Sequence, residues 1–432
     1  MGGPLPMPCF TCMQEILFNR KLYRKDQGKY IRIPFNVPDG IERIEISYRY
    51  IKTEYNILDL GIYGNDGTLR GWSGSARTDI HLSCNESTPG YAIGAIEAGQ
   101  WAVALGLYKI ENQLDVEISI RFKRKERLFL SGDIHMHTVN SDGVMSTAEV
   151  IRASKLSGLD FIAITDHNNA FHEREIGNPS GITVIRGMEY TNYNGHANFF
   201  FPTGKGTFVR DPLSNSFEEM AETFREAKSH GALISLNHIR CRFCPWLFGF
   251  EDFLFDMVEV WNGPMKASEM DAIAWWQENL SQGRRIPAVG GSDTHRMEMM
   301  RTFGTPTTHV LADSRSADDI LEALGKGRSS ISVSPSGPWL WIRSGEFNPG
   351  DTVPPSDNIE IEVPVKRAAK GALVVVRDGK GTKREWEISS SGDATFSFRA
   401  DSDAVFYRAE LYGEFMGQMV LFALTNPLYI SN

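Results

Sequence analysis

Two histidines two residues apart, His135 and His137 in GDIHMHTVNSDG, end a short apolar segment, with Asp142 just beyond. Alternate residues of an extended strand face the same side, so both imidazoles point to one place. That is the geometry of a metal-ligand pair, although a lone H-x-H more often marks the polar face of an ordinary strand. Here the arrangement recurs. Asp166 and His167 end GLDFIAITDH, Glu189 ends ITVIRGME, His196 opens GHANFF, His238 follows LISLN, and Asp293 and His295 follow AVGGS. One such residue alone reads as a satisfied core or loop histidine. Six of the ten histidines at equivalent strand ends point to a shared site. Imidazole with carboxylate suits Zn, Mn or Fe rather than Ca or Mg, and the ligands outnumber those of one tetrahedral ion. Two or three divalent transition-metal ions are expected.

The elements that must position these residues begin at residue 128. Short apolar strands there alternate with amphipathic helices over Thr147 to Ser157, Phe217 to Ser229, Ser268 to Ser281 and Ser316 to Leu324. Several helices open on Ser or Thr with acidic residues in the first turn, as capping and the helix dipole favour. The strands run through Ile134, Phe161 to Thr165, Ile182 to Met188, Ala197 to Phe201, Ala232 to Leu236, Met257 to Trp261, Ile286 to Val289 and Thr308 to Ala312. Alternating β and α predicts a parallel sheet or barrel, whose C-terminal strand ends converge on one face. Arg240, Lys266, Arg296 and Arg301 follow the same strand ends, as an anion site or as solvated loop cations. Asn262 is a candidate substrate contact, whereas Trp261 beside it reads equally as core. Asp166 is expected to position a ligand histidine or a loop, because a metal-bound imidazole needs an acceptor behind it.

The flanks read differently. From about residue 28 to residue 127, apolar residues alternate, as in Ile44, Ile46, Tyr48 and Tyr50, and turn signals such as Asn65-Asp66-Gly67 interrupt them. Period two predicts half-buried antiparallel strands in a β-sandwich. Its His81 reads as structural. Beyond Pro335 the alternation returns, as in Ile359, Ile361, Val363 and Val365, and predicts a second small β domain. The expected division is a β-sandwich over residues 1–127, a metal-binding barrel over 128–334 and a C-terminal β domain over 335–432.

The 432 residues are 41% hydrophobic with a formal net charge of −9, enough for two or three domains with cores. The acidic balance argues against nucleic acid or an anionic membrane as the main partner, since both need a basic footprint. No early apolar run is long enough to span a bilayer and no secretory pattern opens the chain, so the expected location is cytoplasmic. Of five cysteines, Cys9 with Cys12 and Cys241 with Cys244 form C-x-x-C pairs, and Cys84 is left over. The pairs lie too far apart for a zinc ribbon, and reduced thiols are expected.

GDIHMHTVNSDG, GLDFIAITDHN, GMEY with GHANFF, NHI, VEVWNG and GSDTH, in this order, resemble the PHP family (polymerase and histidinol phosphatase), within it the CehA/McbA-like branch. The resemblance implies a distorted (β/α)7 TIM-like barrel flanked by N- and C-terminal antiparallel β-sandwich domains. It implies one ion held by His135, His137, Glu189 and Asp293, and a second sharing Glu189 with His196 and His238. A third would lie among Asp142, His167 and His295. Many family members place a histidine where Asp142 stands, which puts the third ion in question. The Arg-Cys-Arg-Phe-Cys segment after His238 departs too, since related proteins often have a proline there.

Ions about 3.5–4 Å apart can bridge and deprotonate a water near neutral pH while clamping the oxygens of a displacement. Hydrolysis is the expected reaction, by that metal-bound water, with Asp293 and His295 as candidate catalytic residues. Three ions against Asp142, Glu189 and Asp293 leave a positive pocket, which favours a small anionic phosphoester met by Arg240, Asn262 and Arg296. A carbamate, ester or amide hydrolase is the alternative, and a non-catalytic, metal-stabilised binding module a second. No G-x-S-x-G elbow, phosphate-binding loop or H-E-x-x-H occurs.

Overall fold

The computed structural model describes residues 14–177, 179–203, 213–214, 216–251, 253–356 and 358–431. Cys9 and Cys12 lie outside the described residues. The rest forms two compact units, one drawn from Met1–Glu126 and Asn178–Gly181, the other from Arg127–Gly177 and Ile182–Asn432.

The alternating residues of the first unit form two four-stranded antiparallel sheets. One has the order Gln14–Tyr23, Gln113–Arg124, Ile41–Arg49, Asp79–Ser83, and the other Tyr30–Val37, Gly99–Lys109, Ile57–Tyr63, Leu69–Gly74. Ile44, Ile46 and Tyr48 from one sheet and Leu60, Ile62, Trp101 and Val103 from the other share a single core. This is a β-sandwich, each strand turning every second side chain inward. His81 sits with Nδ1 3.2 Å from the Thr88 hydroxyl.

The second unit runs β1 (Leu128–Asp133), α1 (Thr147–Leu156), β2 (Phe161–Ile164), β3 (Thr183–Asn192), β4 (Gly195–Phe201), α2 (Phe217–Ser229), β5 (Leu233–Leu236), β6 (Met257–Asn262), α3 (Ala267–Ser281), β7 (Ala288–Gly291), β8 (Thr307–Ala312), α4 (Ala317–Gly325) and β9 (Ser329–Ser332). Ser146 and Ser216 close capping boxes with Glu149 and Glu219, and Ser316 caps α4, which fixes where three of the helices begin.

The hydrogen-bonded order is β7-β6-β5-β4-β3-β2-β1-β8-β9. The pairs β1/β2, β2/β3, β5/β6 and β6/β7 are parallel, whereas β3/β4, β4/β5, β1/β8 and β8/β9 are antiparallel. The fold is thus mixed α/β, and simple β/α alternation fails at several places, most directly at the β3/β4 hairpin. Asn192 pairs directly with Gly195, and a turn that short leaves no room for the crossover a parallel neighbour requires. The ladder is open, but just past β1 and β7 a parallel bridge joins Met136 to Thr294.

β9 then pairs with Gln418–Thr425, and the sheet continues through Phe406–Phe415, Leu373–Asp378 and Gly381–Glu387. The C-terminal strands therefore extend the central sheet, while Leu340, Ile361, Val363, Val374 and Leu411 share a further core. No helix among the described residues is long and apolar enough to cross a membrane.

Close backbone approach sets how the strand ends meet. A Cβ on Gly291, at the end of β7, would lie 2.4 Å from His135 Cβ and 2.7 Å from Glu259 Oε1. We therefore expect Gly291→Ala to push the His135 segment outward at a cost of about 1–3 kcal/mol, as overpacking of a filled core does. A lowered thermal unfolding midpoint checks this, and an unchanged midpoint contradicts it.

Candidate metal centre

The H-x-H segment leaves β1 still extended and is held from both sides. Asp293 N donates to His135 O at 2.8 Å, His137 N to Thr294 O at 3.1 Å and Thr165 N to Met136 O at 2.9 Å. Ile134 and Met136 enter apolar cores, so the alternate residues His135 and His137 share the opposite direction, both fully buried. His167 follows β2 and is bridged in parallel to Glu189 on β3, His196 lies on the adjoining β4, His238 follows β5, and Asp293 and His295 follow β7.

At the centre is the carboxylate of Glu189, 1% exposed. Its Oε1 lies 3.2 Å from His135 Nε2, 3.2 Å from His196 Nδ1 and 3.3 Å from His238 Nε2. Its Oε2 lies 2.9 Å from His167 Nδ1 and 3.5 Å from His137 Nε2. Asn237 Nδ2 adds a hydrogen bond to Oε1 at 2.8 Å. Beside it, Asp293 Oδ1 is 3.1 Å from His137 Nε2 and 3.5 Å from His135 Nε2. Farther out, Asp142 Oδ1 is 3.1 Å from His295 Nε2, 3.5 Å from His167 Nε2 and 3.9 Å from His137 Nδ1.

The nine residues singled out as ligands thus gather into overlapping groups. These are His135, His137 and Asp293; His135, Glu189 and His238; His167, Glu189 and His196; and His137, Asp142, His167 and His295. A carboxylate accepts about four hydrogen bonds, fewer than the donors crowded on Glu189. Despite that crowding, His135 Nε2 and Glu189 Oε2 are buried and make no well-directed hydrogen bond. Two buried atoms left without a hydrogen-bond partner amid so many nitrogens and oxygens fit a divalent cation, and the set of imidazole and carboxylate fits Zn, Mn or Fe.

Burial and charge compete throughout. Burial disfavours an ionised Glu189, but His135, His167 and His196 outweigh it and hold the carboxyl well below the usual range. Asp293 is lowered in the same way, burial being overcome by His135 and His137. Burial likewise opposes charge on His135 and His238. Glu259, Glu189 and Asp293 nevertheless raise His135 well above the ordinary histidine value, and Cys244 and Glu189 raise His238. Burial prevails at His137, which is lowered.

The residues behind the ligands fix their rings. Asp166 accepts from Thr138 N at 2.7 Å, Thr138 Oγ1 at 2.8 Å and Ser141 Oγ at 2.7 Å, and lies 3.0 Å from His172 Nδ1. It therefore holds the loop that carries Asp142. Glu259 was not singled out from the sequence. This 2% exposed carboxylate meets His135 Nδ1 at 2.9 Å and accepts from His238 N at 2.9 Å and Asn262 Nδ2 at 3.0 Å. The available signal was one acid inside the apolar strand VEVW. Asn262 is thus turned onto Glu259, whereas Arg240, Lys266 and Arg296 are exposed, and Arg301 Nη1 donates to Asp293 O at 2.8 Å. Three residues next to or within the cluster, Asn168, His238 and Asp293, hold positive φ without being glycine, the kind of local strain that concentrates at functional sites.

Residues 278–329, which carry Asp293 and His295, match the model of the PHP-associated family, PHP_C. No curated protein matches the chain. Among solved structures it is similar to a two-domain protein from Bacteroides vulgatus containing a predicted PHP-like metal-dependent phosphoesterase, at 18% identity and a TM-score of 0.41, over 68% of this chain and 96% of that one. It is also similar to an amidohydrolase from Chromobacterium violaceum with bound sulfate and no metal, at 15% identity and a TM-score of 0.29, over 44% and 95%. The activities named are those of the neighbours.

Two outcomes follow from the geometry. Replacing the brace behind His135, Glu259→Gln, should weaken metal affinity about 10–100-fold while the protein stays folded. Competition with a chromophoric chelator measures this, and unchanged affinity would show that Glu259 does not orient the ring. Neighbouring acids shift both His135 and His238 upward, so a cation competes with protons for their ring nitrogens. Metal affinity should therefore fall as pH falls, with protons released on binding. Calorimetry in buffers of different ionisation heat counts them, and zero release contradicts the assignment.

Proposed function

We propose that this protein is a metal-dependent phosphoesterase acting on a small anionic phosphoester. The observation that carries the reading is the convergence of five imidazoles and Asp293 on or beside the buried Glu189 carboxylate. Inner ligands would be His135, His137, Glu189, His196, His238 and Asp293, and an outer set Asp142, His167 and His295. The match of residues 278–329 to the PHP-associated model supports the same family, and the CehA/McbA-like branch is our finer reading. Divalent transition ions bound there would supply an activated water near neutral pH and polarise the ester oxygens.

The chain's own residues do the rest. Glu259 holds Nδ1 of His135, leaving Nε2 directed at the cluster. Arg301 restrains Asp293 through its backbone carbonyl and, at 3.5 Å, its carboxylate. His295 has a side chain 26% exposed, with Nδ1 3.0 Å from Asp293 O and 3.5 Å from Asp293 Oδ1, so it stands between the half-buried Asp293 and solvent. Exposed Arg240 and Arg296 supply positive charge around an anion. The cluster's imidazoles touch four acids, Asp142, Glu189, Glu259 and Asp293. Two divalent ions with the Arg301 guanidinium already exceed that negative charge, and three exceed it further, which favours a phosphoester over an uncharged carbonyl substrate.

The experiment is a substrate panel on metal-loaded protein, aryl phosphates against aryl carbamates and esters, with metal per chain measured in parallel. Phosphate turnover that His135→Ala with His137→Ala abolishes at an unchanged melting temperature is the expected result. Turnover of carbamates alone would replace the phosphoester reading with the carbonyl one, and bound metal with no turnover of any substrate would leave a binding module.

A further inference from the structure

Cys241 and Cys244 lie in the Arg-Cys-Arg-Phe-Cys segment that follows His238, and the hydrolytic reading uses neither. Cys241 N donates to His238 O at 2.7 Å, so the chain folds back onto the ligand residue at once. The turn leaves the two sulfurs 3.2 Å apart as free, partly buried thiols. It also places Cys244 Sγ 3.7 Å and the Cys244 carbonyl 3.2 Å from His238 Nδ1. The opposite nitrogen of the same ring, Nε2, faces Glu189 Oε1.

We propose that Cys241 and Cys244 are a reversible disulfide site that controls how firmly His238 holds metal, an inference that rests on the metal reading of His238. The Cys244 carbonyl is the acceptor that sets the ring: with the Nδ1 proton directed to it, Nε2 keeps its lone pair for the cluster. A disulfide bond is about 2.05 Å long with a fixed dihedral preference, so closing it draws Cys244 toward Cys241 by about 1 Å. The sulfur and the carbonyl of Cys244 both border His238 Nδ1, so the contraction disturbs the support of the ring. A bond closed across two residues in a partly exposed turn belongs with the accessible disulfides that are easier to reduce than buried structural ones.

The reaction balances with a low-molecular-weight disulfide such as oxidised glutathione. One cysteine sulfur, as thiolate, attacks the glutathione disulfide and expels one glutathione thiol. The second cysteine sulfur attacks the resulting mixed disulfide and expels the other. Two electrons pass from the cysteine sulfurs to the glutathione sulfurs, and the two thiol protons end on the two glutathione thiols.

The test uses the full chain loaded with manganese, a cation that thiolates bind poorly compared with zinc. It is equilibrated across reduced-to-oxidised glutathione ratios, peptide-mapped by mass and titrated for manganese. We expect loss of two hydrogens on the peptide holding residues 241–244, with manganese affinity at one site falling about 10–100-fold and recovering in dithiothreitol. Cys241→Ser should bind manganese as the reduced native protein does and show no redox response. A 241–244 disulfide without change in manganese affinity overturns the inference, as does its absence at the most oxidising ratio or an undiminished response in Cys241→Ser. Reduced protein that binds an extra zinc ion protecting both thiols from alkylation would show instead a soft-metal site of Cys241, Cys244 and His238. Reduced protein that binds no manganese at all fails the metal reading itself, a result distinct from the others.

Discussion

One carboxylate sets the terms for the rest of the second unit. Glu189 is buried beyond reach of solvent and faces five imidazoles, and buried charge is tolerated only when it is paired. Imidazoles and acids answer that demand mutually: acid neighbours raise His135 and His238, and imidazole neighbours lower Glu189 and Asp293. Protons and metal cations are alternatives here. Each imidazole that releases its proton leaves a lone pair aimed at the same carboxylate, so one arrangement serves the cluster in either state of charge.

Holding that arrangement demands rigidity from elements that have little else in common. His135 and His137 are placed by strand alternation, with Ile134 and Met136 anchored in apolar cores on the other side. Glu189 and His196 are placed by an antiparallel hairpin, which brings adjoining strands to the site without a helix between them. Gly291 lets the β7 end lie against His135, and Asp166 ties down the loop that carries Asp142. Glu259 links three parts, the His135 ring, the His238 backbone and the Asn262 amide. Removing a brace of this kind leaves the ligand list intact but frees the rings to turn, so precision rather than composition distinguishes the site from a surface patch of histidines.

The sequence made most of the candidate ligand positions legible for a physical reason: they sit where an apolar run stops or, at His196, begins, and such ends meet on one edge of a sheet. The same logic exposed the two sheets of the first unit through the alternation of residues such as Ile44, Ile46 and Tyr48. Less was legible where the decisive partner is distant in sequence. Glu259 is 124 residues from His135, and nothing in VEVW reveals which ring it meets. The hairpin at Asn192 and Gly195 reverses the strand, and strand periodicity carries no sign of direction. Nor does alternation tell a separate C-terminal sheet from one that joins β9 edge to edge, as Gln418–Thr425 does. The contact of Cys244 with His238 was equally hidden, since a C-x-x-C spacing says only that two thiols can meet.

Depth divides the cluster in a way that spacing along the chain does not. His135, His137 and Glu189 are essentially without solvent, whereas the Asp142 side chain is 59% exposed and those of His167 and His295 are 25% and 26% exposed. Electrostatic interactions are strong and unscreened in the first group and weakened by water in the second. On the metal reading, inner cations are held by partners that cannot rearrange, while an outer one exchanges with solvent and answers to the charge of a single aspartate. Asp142 adds a negative charge at the exposed rim of the cluster. On the proposed phosphoester reading, the exposed Arg240 and Arg296 would act in the opposite direction, so an anion would meet this aspartate and those arginines before it met the buried residues.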